Sequence, residues 1–299
     1  MASSTEINPY EADPEKIPTT DRYVAEPLYG RCLPRTNDFK PDLRHVNSRS
    51  PKSLQYWAFV LEQCNASNRI YENIDGGRDV FALGGVIIKS SHLRERLEGR
   101  RACRNYSFAD KNELQATAIA KRSLTSVKLR VPEIYFADKI NDRDVLVQER
   151  IPGVGLNITW QYLSQDQKVA FKEQARGILN QLRKIKPPNA LNHAAYLEPD
   201  PDPVYHRGIQ DVEADILFSS ENADSHLCFM HNDFSMSNTI VDQDKIAGLV
   251  DWEMAGYFSY KTAAEVHVKI RSPKRENYAA LNLPEDFLED LMFWSNIYA

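Results

Sequence analysis

His231, Asp233 and Asn238 stand in the order His-x-Asp, four residues, Asn, and Asp251-Trp252-Glu253 follows shortly after. These types at this spacing have the makings of a phosphoryl-transfer site. Asp233 would accept the proton of an acceptor hydroxyl or amine. Asn238 would offer a neutral oxygen, and Asp251 an anionic one, to a magnesium ion that bridges nucleotide phosphates. Taken singly, a His-x-Asp is ordinarily a hydrogen-bonded turn, and a lone Asp after a strand is ordinarily a helix cap. Both signals together at this spacing favour chemistry.

The flanking pattern must bring these groups together. Leu227–Met230 is an apolar approach, Thr239–Val241 is β-rich, Asp242–Lys245 is polar and turn-like, and Ile246–Val250 is β-rich again. This reads as a hairpin entered from Asn238 and left at Asp251, which sets the two ligands side by side.

With 299 residues, 42% hydrophobic and 26% charged, the chain has the composition of a globular protein large enough for two lobes. A formal charge of −5 argues against a nucleic-acid partner. Cys32, Cys64, Cys103 and Cys228 form no metal-ligand pair and read as reduced thiols. The first residues lack the apolar core of a secretory signal, and no apolar run reaches membrane-spanning length. The expectation is a cytoplasmic protein with no membrane association.

Residues 1–50 are polar and proline-bearing, and read as an extended or partly disordered arm. A helix is expected from Ser53 to Cys64. Strands follow at 69–72, 80–83, 86–89, 130–137 and 145–149, with a helix at 107–124. This is a small antiparallel lobe with a helix, assigned to residues 51–151. From 152 to 299 the pattern is mainly helical. Ser164 and Gln167 form a capping box, and Phe171, Ala175, Ile178, Leu182 and Ile185 follow at helical spacing. Further helices are expected at 209–218 and 284–298.

Several residues in the small lobe complete the constellation. Lys89 ends the strand run Val86-Ile87-Ile88-Lys89 and is the candidate phosphate cation. Glu113 is its candidate partner, with Asp110 one turn earlier as a competitor. Gly76 and Gly77 lie in a turn whose N–H groups would approach phosphates, or which simply closes a hairpin. Glu149 and Ile151, in the connector, would meet the nucleotide base through their backbone. The five arginines between Arg94 and Arg104 read first as a solvated segment, and second as a steering patch for an anionic nucleotide. Trp252, Tyr257, Phe258, Tyr260, Trp294 and Tyr298, with Glu253, Glu265, Glu285, Asp286, Glu289 and Asp290, read first as core packing and a solvated helix face, and second as a cage for a cationic acceptor. His267 and Arg271 would line the acceptor site or pair locally.

Over about 68–270 the chain resembles the aminoglycoside phosphotransferase and choline kinase family, in particular its uncharacterised fungal branch. The resemblance rests on His231-Asn232-Asp233 with Asn238, and on Ile246–Val250 followed by Asp251-Trp252-Glu253. Val86–Lys89, Asn112-Glu113-Leu114 and Glu149–Gly153 support it. It implies an α+β, protein-kinase-like two-lobe fold, with a small antiparallel-sheet N-lobe and a mainly helical C-lobe. It also implies ATP or GTP as donor, Mg2+ as cofactor and a small-molecule acceptor. Asp233 would be the catalytic base, Asn238 and Asp251 the metal ligands, and Lys89 the phosphate ligand. Asn232 stands where the family has Gly, and Phe234 where it has Leu. The tail after Asp251 is short, so the expectation is an acceptor pocket that is small, open, or completed by the N-terminal arm or a partner.

The expected function is transfer of a γ-phosphoryl group to a hydroxyl or amine of a small molecule. The alternative is a catalytically silent nucleotide- or metabolite-binding protein of the same fold. A protein kinase ranks below both, since its long activation segment and large following lobe have no counterpart here.

Overall fold

The computed structural model describes residues 39–102, 104–188, 191, 193–219 and 226–299. Most of the expected N-terminal arm, together with Cys32 and Cys103, lies outside them. Cys64 and Cys228 are free, buried thiols.

The chain runs α1 (Pro51–Glu62), β1 (Arg69–Tyr71), β2 (Asp79–Leu83), β3 (Val86–Ser90), α2 (Tyr106–Ser123), β4 (Ile134–Ile140) and β5 (Arg143–Glu149). These strands form one antiparallel sheet in the order β1-β2-β3-β5-β4. Ser50 caps α1 by accepting from the Ser53 N–H, and Pro51 starts the helix, where a missing N–H costs nothing. One face of α1 buries Trp57 and Val60 against Phe81, Ile88, Phe136 and Val147 of the sheet. Alternation along β3 buries Val86, Ile88 and Ser90 and leaves Lys89 partly open on the other face.

The second lobe contains β6 (Val154–Gly155), α3 (Leu156–Thr159), α4 (Gln165–Leu182), β7 (Ala195–Tyr196), α5 (Pro203–Arg207), α6 (Asp211–Phe218) and β8 (Leu227–Met230). It continues with β9 (Thr239–Asp242), β10 (Lys245–Leu249), β11 (Gly256–Ser259), α7 (Tyr260–Val266) and α8 (Glu285–Met292). Two small sheets, β10-β9-β6 and β7-β11-β8, lie among these helices. The capping box is present at Ser164 and Gln167, and Phe171, Ala175, Ile178 and Leu182 are buried along α4. Ile185 falls past the helix end but still packs against the core. The result is an α+β, protein-kinase-like two-lobe fold.

Two sequence boundaries need correction. The strand expected at 130–137 begins only at Ile134. Pro132 cannot donate to a ladder, and Arg130 instead pairs with the 245–249 strand: its N–H donates to Ala247 O at 3.0 Å, and its carbonyl accepts from Leu249 N at 3.1 Å. The closing helix expected at 284–298 stops at Met292 and tightens into a 3-10 turn, Phe293–Asn296. That turn lets Trp294 point inward, where its Nε1–H donates to Phe234 O at 2.9 Å.

The helix α2 belongs to both lobes. Ala116 and Ala120 sit in the core of the large lobe. Buried Asn112 donates to Glu253 O at 3.0 Å and Ala255 O at 2.8 Å, and accepts from Glu198 N at 2.9 Å. One side chain thereby fixes the helix bearing Glu113 to the turn that follows Asp251.

Candidate active site

The loop after β8 is built around His231, which is fully buried. The Asp233 N–H donates to His231 Nδ1 at 3.2 Å, and His231 Nε2 faces Val250 O at 3.0 Å. That pair of contacts selects the neutral tautomer with its proton on Nε2. Burial keeps the ring neutral, lowering its pKa to about 4. His231 therefore braces the segment carrying Asp233 against the strand leading to Asp251. Between them Asn232 adopts φ 60°, the left-handed region that asparagine tolerates better than most residues. Its side chain adds a bond from Nδ2 to Met254 O at 3.1 Å.

The hairpin pairs Thr239 with Leu249, and Val250 N donates to Asn238 O at 3.0 Å, so Asn238 and Asp251 leave the two strands as neighbours. Asn238 Nδ2 donates to Asp233 O at 2.9 Å, which turns the amide oxygen away from its own loop. Asp251 also has a left-handed backbone, φ 64°, and immediately precedes the 3-10 turn Trp252–Met254. Trp252 is buried, donating from Nε1 to Leu249 O at 2.8 Å and stacking on Phe229.

Lys89 reaches across the interlobe cleft. Its Nζ lies 2.7 Å from Asp251 Oδ1 and 3.4 Å from Glu113 Oε2. Burial opposes the ammonium charge, but Asp251 and then Glu113 outweigh it, so the pKa of Lys89 is raised. Glu113 is fully buried, and burial pushes its carboxyl up against the pull of Lys89. Its other oxygen accepts from Trp252 N at 3.3 Å. Asp110, the competitor, instead holds Arg78 at 2.8 Å.

Asp233 faces Arg271, whose Nε is 3.3 Å from Oδ1. Arg271 lies at the end of a π-helical turn, His267–Arg271, and is held from behind by the buried carboxylate of Glu213. Burial raises the Asp233 pKa to about 6, with Arg271 opposing the shift. His267 faces away from this site: it is buried and bonded to Trp294 O at 3.1 Å.

Lys89, Glu149, Ile151, Asp233, Asn238 and Asp251 all line one cleft of about 610 Å3. Glu113 stands behind Lys89. Gly76 and Gly77 are not among the lining residues and require correction as phosphate ligands. A Cβ on Gly76 would fall 2.0 Å from Glu98 O, and one on Gly77 would fall 2.6 Å from the Tyr106 hydroxyl. These glycines exist because the chain packs against itself there. The aromatic cage is also absent from the described residues, since Trp252, Phe258 and Trp294 are core. The arginine segment is only partly solvated: Arg94 pairs with buried Asp79 at 2.7 Å, and buried Arg104 with Glu253 at 2.8 Å.

Sequence reasoning passed over Arg207, placed Arg104 only in the arginine run, and gave Glu253 no part in holding a metal. Glu253 lines the cleft, and its carboxylate oxygens approach those of Glu113 and Asp251 within 4.8 Å. Burial opposes its charge, yet Arg104, Lys89 and Arg78 hold its pKa well below the usual range. Buried Arg207 fixes the backbone of the same residue, donating to Glu253 O at 2.7 Å while paired with Asp200 at 2.9 Å. The Asp-Trp-Glu spacing was a signal for Glu253. The arginine run marked Arg104, and nothing local marked Arg207. Asp251, Glu253 and the Asn238 amide oxygen are hard oxygen donors, a set that fits magnesium.

The model of the phosphotransferase enzyme family (APH) matches residues 91–258, more than half of the chain. No curated protein matches. Among solved structures, the streptomycin-ATP complex of APH(2")-IIa aligns at 14% identity and a TM-score of 0.48, covering 84% of this chain and 83% of that one. APH(3'')-Id from Streptomyces rimosus aligns at 14% identity and 0.44, covering 82% and 98%. Macrolide 2'-phosphotransferase MphH from Brachybacterium faecium aligns at 12% and 0.41, covering 82% of each chain.

Proposed function

Because this chain belongs to the phosphotransferase enzyme family, we propose that it transfers the γ-phosphoryl group of ATP to a hydroxyl or amine of a small molecule. The observation that carries this reading is the convergence of Lys89, Asp251, Asn238 and Asp233, from both lobes, on one cleft. A structural ion pair would explain Lys89 with Asp251. It would not explain a partly buried carboxylate, Asp233, kept beside them with its pKa raised to about 6.

In this reading Asp233 takes the acceptor's proton. Its pKa suits a base that works near neutrality. Arg271 keeps the carboxylate oriented and, being neutralised by Glu213, does so without adding a free positive charge. Lys89 is the cation for the donor phosphates, positioned by Glu113. Asn238, Asp251 and Glu253 would hold magnesium, which supplies charge neutralisation on the phosphates. Glu149 and Ile151 line the cleft at the interlobe connector, where a nucleotide base would lie. The Glu149 N–H is taken by Glu133 O at 2.7 Å and the Arg150 N–H by Gly85 O at 2.9 Å, so the base would be met by the remaining backbone groups there.

The test is direct binding followed by turnover. Melting temperature with ATP or GTP and magnesium should rise by mass action in the wild type, and the rise should vanish in Asp251→Ala. Nucleotide consumption against a panel of hydroxylated and amine-bearing small molecules then identifies the acceptor. No shift with either nucleotide at millimolar concentration would sink the proposal.

A further inference from the structure

Six cations line the cleft: Arg78, Lys89, Arg101, Arg104, Arg150 and Arg271. Five are engaged. Arg78 pairs with Asp110, Lys89 with Asp251, Arg104 with Glu253 and Arg271 with Glu213. Arg150 donates to Gly84 O at 3.4 Å. Arg101 alone among them has no side-chain hydrogen bond or ion pair to any described residue; its Nε, like those of Arg78 and Arg104, is buried without a partner. A partly buried guanidinium with no acceptor is costly to keep. Its forked donors match the oxygens of a phosphate better than those of any neutral group.

The backbone of Arg101 is nevertheless rigidly placed. Its N–H donates to Asp75 O at 2.7 Å, tying it to the turn between β1 and β2. Two glycines interlock at that junction. Gly76 (φ +82°) lies against Glu98 O, and Gly99 (φ +110°) lies against the Asp75 backbone, where a Cβ would come within 2.6 Å. Both need a left-handed backbone and an absent side chain. The glycine turn therefore docks the arginine-bearing segment over the cleft, and its own N–H groups are not what faces the lining.

The geometry points to Arg101 as a side-chain clamp for the phosphates of the donor nucleotide, mounted on the glycine-interlocked turn in place of a backbone phosphate cradle. The inference rests on the nucleotide reading of the cleft. It assigns the missing anion of Arg101 to the phosphate chain and explains why the glycines sit away from the lining.

Arg101→Gln removes no side-chain hydrogen bond or ion pair to any described residue, so the variant should fold as the wild type does. The experiment is titration of wild type, Arg101→Gln and Arg101→Lys with ATP and magnesium by calorimetry, with unliganded melting temperatures alongside. The expected result is an ATP affinity lower by about tenfold to a hundredfold in Arg101→Gln, part of it recovered in Arg101→Lys, at an unchanged melting temperature. Unchanged affinity overturns the clamp. A fall in affinity matched by a fall in melting temperature also overturns it, by making Arg101 a structural prop. If the wild type binds neither ATP nor GTP, the nucleotide reading itself fails and the clamp fails with it.

Discussion

Lys89 and Asp251 lie 162 positions apart in sequence, yet Lys89 Nζ and Asp251 Oδ1 meet at 2.7 Å across the interlobe cleft. The contact joins the central sheet of one lobe to the hairpin of the other. Behind it, Glu113 touches both partners' neighbourhoods: it holds Lys89 with one oxygen and accepts from Trp252 N with the other. The two lobes are thus coupled through the groups proposed to carry the chemistry.

Replacing Lys89 should therefore harm both stability and catalysis. Lys89→Met leaves the fully buried Glu113 beside Asp251 and Glu253 with no ammonium to balance them. Glu113 would respond by taking up a proton. Phosphoryl transfer should fall by about a hundredfold to a thousandfold, as for loss of one preorganised electrostatic donor. Lys89→Met/Glu113→Gln should regain stability but not activity. Thermal melts beside turnover assays separate the two effects, and a double variant with restored activity would remove Lys89 from the site.

Asp233→Asn should cost about a hundredfold to ten-thousandfold in turnover while nucleotide affinity stays near wild type. In the wild type the rate should fall as pH drops through about 6, because Asp233 then becomes protonated and cannot act as a base. Arg271 opposes the burial-driven rise in that pKa. The paired change Arg271→Gln/Glu213→Gln, which avoids stranding the buried Glu213, should move the acid limb of the pH–rate profile to higher pH. A limb that stays in place would show that Arg271 does not act on Asp233.

Asn232→Val should destabilise the protein by about 1–3 kcal/mol, because a β-branched side chain is strained at φ 60°. Asn232→Gly relieves the backbone constraint but loses the bond from Nδ2 to Met254 O. It should lie between wild type and the valine variant in denaturant unfolding. Equal stability of Gly and Val variants would mean that the left-handed turn does not persist in solution.

His267 gives the protein an acid-sensitive core. It is buried, its Nδ1 has no partner, and burial lowers its pKa to about 4. The unfolded chain binds the proton from about pH 6.5 downward, whereas the folded one resists it until about 4. Its contribution is thus complete above about pH 6.5 and is lost as pH falls toward 4. His267→Gln, which keeps a donor for Trp294 O, should flatten that acid slope by up to about 1.4 kcal/mol per pH unit. An unchanged slope in urea titrations across this range would contradict the assignment.

Arg207→Met should cost about 1–3 kcal/mol, since the inaccessible Asp200 carboxylate loses its guanidinium and keeps only His206 and the Asp202 N–H. It should also loosen Glu253, whose backbone oxygen Arg207 holds. Magnesium affinity measured on the folded fraction would report that second effect, and an unchanged value would limit Arg207 to a structural role.

The local groups were legible because their spacing is local. His231 to Asn238 is one loop, and the 239–249 hairpin is written in two β-rich runs around a polar turn, so Asn238 and Asp251 emerge together by chain connectivity alone. Helical register set Glu113 and Asp110 one turn apart on the same face and left both as candidates for Lys89. The glycines misled because a glycine in a turn signals close approach without saying to what. Here the approaching group is the chain's own 98–102 segment.

The sequence by itself determined the order of elements in the small lobe, its antiparallel strands, the α4 helix with its capping box, and the loop and hairpin carrying Asp233, Asn238 and Asp251. These follow from periodicity, capping and turn chemistry, each acting over a few residues. Only the tertiary structure decided that Asp110 takes Arg78 and Glu113 takes Lys89, that Glu253 joins the acids of the cleft, and that Asn112 and Arg207 pin the turn after Asp251. Charges of opposite sign are plentiful along the chain. Which pairs share a low-dielectric interior depends on how the two lobes pack, and no local pattern contains that packing.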